Sequence, residues 1–179
     1  MTNEEKADFL KRRFIPLLKQ VPSDTAPQWG KMTLQQMVEH FSDNVRIASG
    51  KTVFTDFVFG PEQVQKNREF MLSETPFKEN TRNPLLPEVP APVTNVSCDE
   101  AINELQKEVD YFFAVFKVNN LQVTRSPFFG DLNYEENVHL LHKHALHHLR
   151  QFGVSPLPGL KHEQIWSTYT IIYLSIRFN

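Results

Sequence analysis

The sequence predicts an all-α helical bundle, and three observations predict it. Apolar residues recur at helical spacing in four separate stretches, Ser, Thr or Asn stands before those stretches with Glu or Gln three places later, and neither an internal repeat nor a convincing set of strands is present. Thr2 with Glu5 opens the first helix, whose stripe is Leu10, Phe14, Leu17, Leu18 and Val21. It should run from about residue 3 to about 19, with a kink or an early end near Phe14 because Pro16 removes an amide donor.

Val21 to Met32, with Pro22, Pro27 and Gly30, reads as a connection. Thr33 with Gln36 then caps a second helix, striped by Leu34, Met37, Phe41, Val45 and Ala48 and stopped at Gly50. Residues 52 to 59 alternate imperfectly, as a short extended piece does, and Pro61 suits the first turn of a short helix to about Leu72. Pro76, Pro84, Pro87, Pro90 and Pro92 make a long irregular excursion. Ser97 with Glu100 caps a third bundle helix along Ile102, Leu105, Val109, Phe112 and Phe116. A loop from Asn119 to Leu132 precedes Asn133 and Glu136, which cap a fourth bundle helix ending at Phe152 with Gly153 beyond. Residues 1–153 thus form the bundle and 154–179 an extension, whose apolar stretch Ile165 to Phe178 reads either as a buried closing element or as a surface for a second copy in a homodimer.

Composition narrows function. The 179 residues, 40% hydrophobic and 12% aromatic, suffice for one core. A formal charge of -2 without a basic stripe argues against nucleic acid. A single cysteine, Cys98, excludes an intrachain disulfide and thiolate-rich zinc sites, so any metal is bound by imidazole and oxygen. The polar, acidic start and the lack of an apolar run of about 20 residues predict a cytoplasmic protein without a membrane span.

Five of the seven histidines lie between His139 and His148. At about 100° per residue, His144 and His148 share one face with Leu140, Leu141, Ala145 and Phe152, whereas His139, His142, Lys143 and Arg150 fall on the other. Side chains at i and i+4 are neighbours and can share a metal ion, the H-x-x-x-H pattern. A third ligand is chemically needed, and His40, beside Met37 and Phe41, is the one histidine of the second helix. The competing reading is three hydrogen-bonded core histidines without a metal.

Pro27-Gln-Trp-Gly-Lys-Met32, Gln36-Met-Val-Glu-His40, Ser126-Pro-Phe-Phe-Gly130 and His144-Ala-Leu-His-His-Leu-Arg-Gln-Phe-Gly153, in that order, resemble the DinB-like superfamily, in a bacterial branch of unknown function, over about residues 26 to 153. The resemblance implies an up-down-down-up four-helix bundle and a divalent metal ion held by His40, His144 and His148. It also implies a metal-dependent enzyme acting on a small molecule, a hydrolase or a thiol transferase. The alternative is a non-catalytic metal-binding or structural bundle. The family's arginine directly after the last histidine is replaced by Leu149, with Arg150 one place later. Imidazole ligands suit zinc, nickel, copper and iron alike, and general frequency favours zinc, then nickel. Asn44 and Gln151 are the expected hydrogen-bond partners of the ligands. His147, about 60° off the ligand face, either approaches the site or stands partly exposed, and Trp29, Phe128 and Phe129 are candidates for a pocket mouth. Glu39 should project away as a solvated charge.

Overall fold

The computed structural model describes residues 1–81, 84–85 and 88–156, and within them the chain is mostly helical with one small sheet. Both arms of a capping box close at Thr2 and start α1 (Asn3–Arg12). The first amphipathic stretch breaks at Arg13, and α2 (Phe14–Leu18) resumes with Pro16 in its first turn, where the missing amide has no helical acceptor to lose. Of the kink or early end expected near Phe14, the structure shows the early end, with a second short helix after it.

Thr33 and Gln36 satisfy each other's backbone amides at the start of α3 (Leu34–Ser49), and Gly50, at φ +81°, ends it in the left-handed conformation. Pro61 opens α4 (Pro61–Leu72). Residues 52–59 form no strand; the Thr52 amide bonds the Arg46 carbonyl and the Val58 amide the Pro127 carbonyl. At α5 (Cys98–Val118) the Ser97 hydroxyl accepts from the Glu100 amide, which is one arm of the expected box.

The loop expected between Asn119 and Leu132 contains a hairpin of β1 (Thr124–Ser126) and β2 (Gly130–Leu132), with Arg125 opposite Asp131. Three-residue strands are too short for a readable alternation, so cross-strand chemistry reveals them instead: Arg125 grips Asp131 through two nitrogens at 2.7 and 3.0 Å. The hairpin joins two helices. Thr124 donates to the Ala48 carbonyl at the end of α3, and Asn137, in the first turns of α6 (Tyr134–Gln151), donates back to the Thr124 hydroxyl. At the opposite end the Gln28 amide, just before α3, donates to the Gln151 carbonyl. The two helices consequently run antiparallel, held at both ends.

One core unites the pieces. Phe9, Leu10 and Phe14 meet Met37, Phe41 and Val45 of α3, Leu105 and Phe112 of α5, and Leu141, Ala145 and Leu149 of α6. The most extensive packing is α3 on α5, followed by α1 on α6. Among the described residues no helix is long and apolar enough to cross a membrane. The expected apolar stretch Ile165 to Phe178 lies outside the described residues.

The far face of α6 corrects the sequence reading. His142 and Lys143, expected outside, are buried, because α1 covers one flank of the helix and the end of α4 covers another. His142 packs edge-on to Phe9 at 5.2 Å. Lys143 donates to the carbonyls of Phe70, Met71 and Ser73 where α4 ends, sharing the Phe70 carbonyl with the Ser73 amide and hydroxyl. Burial lowers its pKa to about 8, with Glu74 opposing and Lys6 assisting. His139 lies 2.8 Å from the Lys6 ammonium.

Burial, with Lys6 next in weight, lowers the His142 pKa to about 4. The unfolded chain takes up a proton there near pH 6.5 and the folded chain does not, so this site adds nothing above about pH 7 and destabilises as pH falls. Unfolding free energy measured in urea should fall between pH 6.5 and 4. His142→Phe should recover on the order of 2 kcal/mol of that loss.

Candidate metal centre

The phase of α3, set by its capping box, buries Met37, Val38, Phe41 and Val45 and leaves His40 at the edge of that stripe, partly covered. On α6 the buried Leu141, Ala145 and Leu149 fix the rotation that brings His144 and His148 to the same crossing. One ligand atom from each of His40, His144 and His148 lies within 4.8 Å of the other two, so the group could hold a metal ion. His144 Nε2 and His148 Nε2 are 2.7 Å apart. The His40 ring stands at 80° to both, with centroids at 5.2 and 5.4 Å.

The surroundings are apolar on one side and polar on the other. Phe41 lies 5.2 Å from the His144 ring, and Phe77, from the proline-rich excursion, closes on His144 and His147 at 6.1 Å each. Burial is the largest cause of every pKa shift here. It lowers His40 to about 4, against the attraction of Asp43 and with help from His147. It pushes His144 and His148 well below the ordinary imidazole range, and the neighbouring histidines add to the effect. All three rings are thus neutral near pH 7, the form that binds a metal.

A cavity of about 710 Å³ opens beside His40, lined from α3 by Gln36, Asp43 and Arg46 and from the excursion by Thr94 and Asn95. No family model, curated protein or solved structure matches this chain. The chemistry of the site therefore rests on its own geometry.

The neighbours named from sequence fall into distinct places. Gln151 is buried, its Oε1 2.8 Å from His148 Nδ1. Asn44 donates to the His40 carbonyl at 2.8 Å, and its amide is 3.4 Å from His40 Nε2. His147 sits between Trp29, Phe77 and His148 with its Nδ1 buried and without a hydrogen-bond partner. Trp29 is edge-on to His147, under the Arg150 guanidinium, and its carbonyl accepts from Gln151. Phe128 and Phe129 do not line the cavity; they pack against Phe59 and Phe77.

Glu39 departs from expectation. Rather than a solvated charge it is a clamp, accepting from the Thr94 amide at 2.8 Å, the Asn95 amide at 2.9 Å, the Thr94 hydroxyl and Gln35. Burial raises its pKa, but the Asn95 and Thr94 amides outweigh burial and hold it below the usual carboxylate value. Partners 55 and 56 residues away left no local signal in the sequence. Phe77 was missed for the same reason. The clamp fixes one wall of the cavity, and it leaves Glu39 engaged rather than free to move protons. Glu39→Ala should speed hydrogen exchange at the Thr94 and Asn95 amides by roughly tenfold or more, as expected for two lost charge-assisted bonds. Mass spectrometry of the 88–96 segment checks this.

Proposed function

We propose that the protein is a metal-binding helical bundle of the DinB-like type, with one divalent ion held by His40, His144 and His148, acting on a small molecule as a hydrolase or thiol transferase. The single observation that carries this reading is the convergence of three neutral imidazoles from two helices beside a cavity. The packing of α1 on α6, α6 on α3, α3 on α5 and α5 on α1 supports a four-membered arrangement of long helices.

The donor set fits a zinc or nickel ion: three uncharged nitrogens, with no thiolate and no carboxylate in the group. Such ligands leave the ion's charge undiminished, so when bound it acidifies a water or deprotonates a thiol. The chain's own residues shape what reaches it. Phe41 and Phe77 exclude water from one flank, which strengthens electrostatic interactions there. The opening lies on the side of His40, where Gln36, Asp43 and Arg46 present polar groups to an incoming molecule. Arg46 is itself held by Asp43, Glu104 and Glu108, which keeps the α3 wall rigid.

Elemental analysis of tag-free protein should find one stoichiometric divalent ion. His40→Ala and His148→Ala should each remove most of it while leaving the far-ultraviolet circular dichroism spectrum helical. Metal content unchanged in His144→Ala would remove the triad and with it this reading.

A further inference from the structure

Gln151 has the most constrained side chain near the three histidines. It stands at the last turn of α6, buried, with hydrogen bonds at both ends of its amide. Its Nε2 lies 2.8 Å from the Trp29 carbonyl, an atom that can only accept, so the amide nitrogen must face that way. The amide oxygen therefore faces His148 Nδ1 at 2.8 Å and can only accept there. His148 Nδ1 must carry the ring's proton, which leaves the Nε2 lone pair directed at His144. A backbone carbonyl in a distant loop thus dictates the tautomer of a histidine through one glutamine.

The same loop is interlocked with the helix end. The Gln28 amide donates to the Gln151 carbonyl at 2.8 Å. A Cβ at Gly30 would lie 2.8 Å from Gln151 Nε2, and one at Gly153 would lie 2.8 Å from Gln28 Nε2. Both glycines also have positive φ, +80° and +70°. A side chain at Gly30 would displace the Gln151 amide from the Trp29 carbonyl, and one at either position would be strained by the positive φ. Trp29 lies within this joint, below Arg150 and edge-on to His147, whose ring touches His148.

From this geometry we infer that Gln151 is a positioning residue: it locks His148 in the tautomer that binds metal and couples occupancy of the centre to the 27–31 segment. The inference rests on the metal reading above. An ion held by His148 would act on the ring whose Nδ1–H the Gln151 oxygen accepts, and through that same amide on its bond to the Trp29 carbonyl. Removing such an outer partner typically weakens metal binding by about 10–100-fold.

The test uses the full chain with Trp166→Phe, so that Trp29 is the one fluorophore of its kind. Zn²⁺ affinity is measured against a chromophoric chelator, and Trp29 emission is followed during loading. In the parent, Zn²⁺ should bind and change Trp29 emission. Gln151→Leu should bind about 10–100-fold more weakly and lose the emission change even at saturation. Gln151→Glu keeps an acceptor for His148 Nδ1 but has no donor for the Trp29 carbonyl, so it should retain affinity while losing the emission response. That split decides the matter even if Gln151→Leu does not fold. A parent that binds Zn²⁺ and loses it in His148→Ala, together with a Gln151→Glu or folded Gln151→Leu variant that keeps both affinity and emission change, would overturn this inference alone. A parent that binds no Zn²⁺ would overturn it together with the metal reading.

Discussion

Imidazole is costly to bury when charged and inexpensive when neutral, and the crossing of α3 and α6 is organised around that difference. Phe41 and Phe77 pack against His144, and His148 and His40 add to the burial that lowers its proton affinity. Protonating any of the three rings would bury a cation away from the water that would solvate it, the largest cause of each lowered pKa. What remains is a neutral lone-pair donor set, a group that could hold a metal ion. The antiparallel placement of α3 and α6 makes this possible. Their ends are tied by Thr124 with Asn137 on one side and by Gln28 with Gln151 on the other.

Two irregular segments complete what the helices begin. The excursion between α4 and α5 brings Phe77 onto the histidines and is anchored to α3 by Glu39, so one wall of the cavity is set by a carboxylate adjacent in sequence to His40. The 27–31 segment meets the other end of the site through Gln151. Lys143, whose ammonium binds the carbonyls of Phe70, Met71 and Ser73, fixes where the excursion starts. Loops placed in this way by rigid helices are where binding residues tend to be found.

Much of this arrangement was readable because the informative signals were local. The capping boxes at Thr2, Thr33 and Asn133 both announce and build their helices, and the stripe on α3 placed His40 at the correct edge. The i, i+4 relation of His144 and His148 needed only helical geometry. The misreadings share one cause. His142, Lys143 and Glu39 are polar residues whose partners lie in distant segments, and by themselves they look like solvent-facing side chains. The β1–β2 hairpin escaped notice because three-residue strands carry no periodicity, although Arg125 and Asp131 on facing strands were the available clue. A helix covered on several flanks, as α6 is, does not divide into an inner and an outer face.

The most direct test of the central claim is a crystal structure of Zn²⁺-soaked protein with diffraction recorded on both sides of the zinc absorption edge. The account predicts a single strong anomalous peak about 2.0–2.1 Å from one nitrogen each of His40, His144 and His148. No peak there, or a peak bound elsewhere with the three rings unchanged, would contradict it.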